Sequence, residues 1–227
     1  MKIIMTGLAM AAAVPALAAD AQSPTVVELY QSQGCSSCPP ANAHLNSLGG
    51  RADLLPLMFA VTYWDQLGWK DSFADEAYTA RQWEFSRSAK RGNVATPQFI
   101  INGRSVVTGN NPPALAAAIK REDRRGSGPA IMVEGNRIEI GASKTAKPAT
   151  VWLVRYDPRT RNVKIGRGEN GGKVLPHRNV VTGLRALGTW NGGAASFEQP
   201  AYKDSSQRSA VIIQQGKGGP IIAARRL

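Results

Sequence analysis

The sequence predicts an α/β domain whose mixed sheet follows the order β-α-β-α-β-β-α, and then an all-β, sandwich-like domain. Three observations carry this expectation. Strand and helix signals alternate across residues 24–126, Gly126-Ser127-Gly128-Pro129 interrupts the chain as a linker, and from 129 to 227 only short strand signals and turns recur.

The elements follow in order. Thr25–Tyr30 (TVVELY) is β-branched and apolar with turn-formers behind it, as a strand requires. Pro40–Leu48 places Ala41, Leu45 and Leu48 at helical spacing, and Gly49-Gly50 ends the helix. Leu54–Val61 (LLPLMFAV) is a near-continuous apolar run, which suits a strand covered on both faces. Ser72 with Asp75 resembles a capping box, opening a helix that runs to Lys90-Arg91 and stops at Gly92. Gln98–Ile101 and Ser105–Val107 flank Asn102-Gly103, a pair that accepts the positive φ of a type I′ hairpin turn. Asn111 and Pro112 then open a last helix to Arg125. In the second half, strands are expected at 131–133, 137–140, 150–156, 163–167, 180–187, 210–214 and 221–224.

The first residues set the compartment. One charge at Lys2, the apolar run Ile3–Leu17 and Ala16-Leu17-Ala18 compose a secretory signal peptide over 1–18, cut before Ala19. That run is short for a bilayer crossing, and no later stretch is long enough to try. The reading is therefore an exported, periplasmic or extracellular protein with no transmembrane segment after processing.

Net charge is +12 and pI about 10.2. The charge is uneven: residues 24–126 hold 11 Lys+Arg against 9 Asp+Glu, whereas 127–227 hold 16 against 6. A net of +10 on the second half favours an anionic envelope surface or an acidic protein as its partner. Nucleic acid is not expected outside the cytoplasm, and no basic helix or aromatic-spaced basic motif calls for it.

Cys35 and Cys38, in QGCSSCPP, are the only cysteines. In an oxidising compartment the pair can be a redox couple, part of a metal site or a staple. A staple closing so short a loop constrains the unfolded chain little. Zinc wants four ligands, and no second C-x-x-C exists. Copper(I) could take two thiolates and a histidine, but His44 lies well up the following helix and His177 far away in the second half. For redox work, Pro39 and Pro40 are tolerated only in a helix's first turn, so the helix starts near Ser36 or Ser37. Cys35 then sits at its mouth, where the dipole favours an anion, as the exposed, acidic thiol. Cys38, one turn inside, resolves. Such a couple exchanges with protein thiols and disulfides and needs no cofactor.

Strand, loop, C-x-x-C, helix, then Thr-Pro before a hairpin resembles the thioredoxin fold. ELYQSQGCSSCPPA, TYWDQLGWKDSFAD, TPQFIINGR, GRGENGGK and HRNVV together are similar to a poorly characterised family of secreted bacterial thioredoxin-like proteins with a QGCSSCPP signature. The resemblance implies Cys35 as attacking thiol, Cys38 as resolver, their disulfide as the oxidised state, and Pro97 as a cis-proline facing them with Thr96 modulating the pair. The buried acid on the first strand of thioredoxins has an approximate counterpart in Glu28, one position further from the first cysteine. Glu28 is expected either to shuttle the proton of Cys38 or to sit at the strand end, facing solvent or pairing with a lysine. Tyr63, Trp64, Asp65, Trp69 and Lys70 follow the central strand at its carboxyl end, where sites in parallel sheets lie, and either line the thiol pocket or simply pack. Glu169, Asn170 and Asn179, in the GRGENGGK and HRNVV stretches, form turns and a sheet edge or hold the two halves together. Two other functions stand beside thiol–disulfide exchange: a copper(I) metallochaperone, and a non-catalytic binding module with a fixed disulfide.

Overall fold

The computed structural model describes residues 23–123, 127–145, 147–201 and 204–227. The leader assigned to 1–18, Gly126 of the linker and the end of the last expected helix lie outside the described residues. In the first half, Thr25–Gln31 (β1) and Leu54–Ala60 (β2) pair in parallel, with helix Cys38–Ser47 (α1) between them. Helix Glu76–Ser88 (α2) follows, then Gln98–Ile101 (β3), Ser105–Thr108 (β4) and helix Pro112–Glu122 (α3). β3 pairs antiparallel with both β1 and β4.

Local chemistry sets the boundaries. The Asp75 carboxylate accepts from Ala77 N–H at 2.8 Å, and Asn111 Oδ1 from Ala114 N–H at 3.1 Å, so each helix starts at a side-chain cap. At the hairpin turn Asn102 and Gly103 have φ of 46° and 65°. A Cβ on Gly103 would stand 2.3 Å from the Gly219 carbonyl, so only glycine fits there.

The second half corrects the expected fold class. It contributes strands Ile131–Glu134 (β5), Arg137–Ile140 (β6), Ala149–Asp157 (β7), Arg161–Lys164 (β8), Val174–His177 (β9), Val180–Trp190 (β10), Ala195–Glu198 (β11), Arg208–Gln215 (β12) and Ile221–Arg226 (β13). Four of these join the first half's strands in one eight-stranded mixed sheet, ordered β13-β12-β7-β10-β2-β1-β3-β4. Among the described residues the molecule is mostly β, with thirteen strands and three short helices. It is not a small α/β domain followed by a separate sandwich. The seam is β10 beside β2: they run parallel, Val180 faces Met58, and Met58 N–H donates to the Asn179 carbonyl at 2.9 Å. The physical reason lies in β2, which is apolar on both faces and would otherwise present an unpaired edge.

The two faces of this sheet carry separate cores. On one, Val26, Tyr30, Leu57 and Phe59 meet Tyr78 and Phe85 of α2, continuous with Val154, Ala210 and Ile212 of the second half. On the other, Val27, Leu29, Met58 and Ile101 meet Ala41 and Leu45 of α1 and Leu115 and Ala118 of α3. Farther along that face, Val151, Val211 and Ile213 pack against Ile131, Ile138 and Ile140. The last three belong to a small sheet ordered β11-β6-β5. β8 and β9 form a two-stranded arm of their own.

One polar cluster pierces the first core. Arg81 of α2 meets both carboxylate oxygens of Glu28, at 2.7 and 3.2 Å, and donates to Gln214 Oε1 of β12 at 2.9 Å. Tyr30 donates its hydroxyl to Glu28 at 2.7 Å, and the guanidinium packs on the Phe59, Phe85 and Trp152 rings. Both charged side chains are buried. Removing one partner from such a pair leaves a bare buried charge and costs ~3–5 kcal/mol, whereas replacing both costs much less. Arg81→Met should therefore lower unfolding stability by about that amount, and Glu28→Gln/Arg81→Met should recover part of it, both read from urea melts.

Candidate functional site

Cys35 and Cys38 form a disulfide with Cα atoms 5.4 Å apart. Cys38 is the first residue of α1, Ser37 its N-cap, and Pro39 and Pro40 fill the first turn, so the helix begins one or two residues later than expected. Cys38 N–H donates to the Cys35 carbonyl at 3.2 Å, and Cys35 Sγ lies 3.3 Å from Ser37 Oγ. Both cysteines are fully buried, while Ser36 and Ser37 between them are exposed. The expectation of an exposed Cys35 is thus overturned, because the second half covers it.

The cover is the loop 165–173 at the tip of the β8–β9 arm. Asn170 is completely buried and its Nδ2 donates to the Gln33 and Cys35 carbonyls, each at 2.9 Å. Lys173 Nζ holds Asn170 Oδ1 at 2.9 Å. Glu169 accepts from Ser36 N–H at 3.0 Å, and the Ser36 hydroxyl together with this amide holds its carboxyl below the ordinary value. Of the three polar residues singled out in GRGENGGK and HRNVV, Glu169 and Asn170 thus reach the C-x-x-C segment, and Asn179 serves the sheet seam.

The turn after β2 supports the cysteine loop from another side. Gln33 N–H donates to Asp71 Oδ2 at 2.7 Å, and Trp69 Nε1 donates to Gln33 Oε1 at 2.9 Å. Asp65 Oδ1 accepts from Asp71 N–H at 3.0 Å. A Cβ on Gly34 would stand 3.7 Å from Trp64 Cβ, and Trp64 Nε1 donates to Thr96 Oγ1 at 2.7 Å. Trp64 therefore links the residue before Cys35 to the residue before Pro97. The Thr96–Pro97 peptide is cis. Tyr63 donates to Gln82 Oε1 at 3.3 Å, and Gln82 Nε2 bonds the Ala95 carbonyl and Gln98, bracketing the Thr96–Pro97 segment. Burial pushes the Tyr63 phenol up to about 12. Lys70 is exposed.

Glu28 is not brought to the cysteines. On β1 it alternates with Val27 and Leu29, which face α1, so its carboxylate lies on the opposite side of the sheet, held by Arg81. The pairing partner is a buried arginine rather than a lysine at a solvated strand end. The acid that does touch the cysteine loop is Asp71, which sequence reasoning missed. Its signal was a carboxylate in the apolar-flanked WKDSF turn, in a segment already noted for its aromatics. Burial raises Asp71 to about 6, against the N–H bonds from Gln33 and Phe73 and with Asp65 adding to the rise.

The histidines sit elsewhere. His44 on α1 meets the Phe99 ring edge-on, and His177 on β9 meets Phe73 at 5.6 Å. His177 is fully buried, neither ring nitrogen has a hydrogen-bond partner among the described residues, and burial lowers it to about 4. Among the described residues no group of three or more His, Cys, Asp or Glu side chains is placed to hold a metal ion, and no helix is long and apolar enough to cross a membrane.

The model of the family described as "Protein of unknown function (DUF1223)" matches residues 26–215. The chain belongs to this family. It is similar to a crystal structure of an Agrobacterium tumefaciens protein at 31% identity and a TM-score of 0.75, with 89% of this chain and 93% of that one covered. HBP35 of Porphyromonas gingivalis shares the fold at 12% identity and a TM-score of 0.62, over 91% of this chain and 75% of that one. No curated protein matches.

Asp71 and His177, joined through Phe73, should oppose one another in the pH dependence of stability. Asp71, raised in the folded state, contributes stability that is present below the usual carboxylate value and lost as pH rises through about 6. His177, lowered in the folded state, contributes stability that is present above about 6.5 and lost as pH falls through about 4. Between about pH 4 and about pH 6 the two slopes offset. Urea midpoints of Asp71→Asn should fall more steeply on acidification than the parent's, and those of His177→Leu should rise.

Proposed function

We propose that the protein exchanges its Cys35–Cys38 disulfide with the thiols of partner proteins. The observation that supports this reading best is the setting of the couple: a C-x-x-C disulfide closed at the N-terminus of α1, with Trp64 beside Gly34 and hydrogen-bonded to Thr96 of the Thr96–Pro97 segment. That local arrangement resembles the redox centre of thioredoxins, and the proposal rests on the local arrangement alone. A signal peptide and an oxidising compartment are consistent with it. The basic second half is proposed to hold the protein at an anionic envelope surface or an acidic partner.

A partner thiolate attacks Cys35 Sγ, and the Cys35–Cys38 bond breaks with its electron pair leaving on Cys38 Sγ. A second partner thiolate then attacks the partner sulfur of the mixed disulfide and releases Cys35. The partner loses two electrons as its disulfide forms, and the Cys35/Cys38 pair gains them. The reverse sequence reduces a partner, and the relative potentials set the direction. Cys35 is assigned the attack because the helix mouth favours its thiolate.

Cys38→Ser should accumulate mixed disulfides with envelope proteins and Cys35→Ser should not, as read on non-reducing gels of envelope extracts. The reduction potential against glutathione should lie in the catalytic range, about −270 to −120 mV, whereas a structural bridge falls below about −300 mV. A structural value with no trapping in either variant would replace exchange with a fixed-disulfide binding module.

A further inference from the structure

The C-x-x-C segment is covered by loop 165–173. The β8–β9 arm pairs only with itself among the described residues, standing outside both the eight-stranded and three-stranded sheets. Its tip is internally braced: Ile165 N–H donates to the Lys173 carbonyl at 2.9 Å, Gly172 N–H to Ile165 at 2.8 Å, and Gly171 N–H to Gly168 at 3.0 Å. The tip can therefore shift as a unit without losing its own hydrogen bonds. What fastens it to the cysteine loop is polar: two bonds from Asn170 and one to Glu169. Apolar groups meet here too: Ile165 of the tip is buried, Gly166 and Gly168 lie beside Trp69, and at the base of the arm Leu175 and His177 are buried, His177 against Phe73.

The charge at this junction is specific. With the disulfide closed, Glu169 is the anion at the mouth of α1, bonded to Ser36 N–H. Pro39 and Pro40 supply no N–H to that first turn, so few donors exist there. Reduction adds a Cys35 thiolate beside the same donors. Carboxylate and thiolate then compete for one positive helix end and repel each other.

We infer that loop 165–173 is a redox-linked strap: latched by Asn170 and Glu169 over the disulfide, it excludes macromolecular thiols until displaced, and it loosens when Cys35 becomes a thiolate. This rests on the exchange reading for its purpose, but its geometry is tested without it. Asn170 is the latch, since its side chain bonds the carbonyls on both sides of Gly34. Glu169 is the sensor. Substrate proteins in this scheme are those able to displace the loop, and small thiols need a lesser opening.

The test uses the whole protein and two thiols of the same chemistry, 2-mercaptoethanol and a polyethylene-glycol thiol of protein size. Opening of the oxidised parent by the large thiol should lag far behind opening by the small one. Asn170→Ala should raise the large-thiol rate about tenfold, from the loss of two hydrogen bonds, and change the small-thiol rate much less. Equal acceleration of both rates, or of neither, would overturn the strap. Hydrogen exchange on the unmutated protein supplies a reading that depends on no variant. The Ser36 amide, which donates across the junction to Glu169, should lose protection on reduction while the amides of Gly171, Gly172 and Lys173, bonded within the tip, keep theirs, and Glu169→Gln should abolish the Ser36 difference. Ser36 protection unchanged by reduction, or an equal change in Glu169→Gln, would remove the redox link. Absence of mixed disulfides with any protein, with the thiol-size discrimination intact, would instead count against the exchange reading and leave the strap standing.

Discussion

Arg81 sits where three elements from distant parts of the chain have to agree. It reaches Glu28 on β1 and Gln214 on β12 from α2, and the bond to Gln214 crosses the join between the halves. A guanidinium can do this because its donors lie in a rigid fork, two for the carboxylate and one for the amide. Burial of both charges makes the arrangement strict. If α2 shifted or β12 left the sheet, a full charge would face an apolar core of Tyr30, Phe59, Phe85 and Trp152. The pair thus specifies the merged sheet more than it stabilises it, since an apolar pair of equal volume would hold the layers too. It also fixes the direction of β1, because Glu28 toward α2 forces Val27 and Leu29 toward α1.

That direction positions the cysteines. α1 packs on the Val27–Leu29 face, so the loop from Gln31 to Ser37 must climb over the sheet's carboxyl end to reach it. There it meets Trp64, Trp69 and Asp71 from the turn after β2, which ends on the same side. β10 beside β2 then brings the chain just before it, the β8–β9 arm, against α1, where Asn46 Nδ2 bonds the Pro176 carbonyl at 3.2 Å. The covering of Cys35 is a consequence of the sheet seam: had the second half formed a separate sandwich, loop 165–173 would not lie over the disulfide.

The parts of this arrangement that are local were legible in the sequence. TVVELY and LLPLMFAV gave strands, Asn111 opened a helix and Asn102-Gly103 made the hairpin, because each rests on interactions within a few residues, whereas the cap read at Ser72 falls three residues later, at Asp75. C-x-x-C beside a helix start was equally local. What remained hidden depends on partners far along the chain. Nothing in β2 says which strand will cover its second edge, and the β9 strand VLPH is too short, with a proline inside, to announce itself. Glu28 shows the limit most clearly. Its alternation with Val27 and Leu29 was readable, but which face would carry α1 was not, and so a strand acid became a candidate proton shuttle when its partner was Arg81. Asp71 escaped notice for the converse reason, since its contact with Gln33 joins two loops with no periodicity to betray it.

Electrostatics gives the site a character that the neutral first half would not. The second half holds 6 Asp+Glu against 16 Lys+Arg, so an acid there is scarce. Asp157 is committed to Arg159 and Arg161, and Asp204 bonds Ser206 in its own turn. Glu169 by contrast is exposed and, among the described residues, bonds no cation; it accepts from the Ser36 amide at the mouth of α1. A lysine or arginine at this position would attract a Cys35 thiolate and favour the reduced couple. A carboxylate does the opposite, so the local field of Glu169 favours the closed disulfide over the dithiolate. The helix end and Glu169 therefore pull the couple in opposite directions, and the position of the loop decides which of them Cys35 experiences. Coupling between loop position and thiolate charge is then reciprocal: whatever loosens the loop also stabilises the thiolate, by the same free energy.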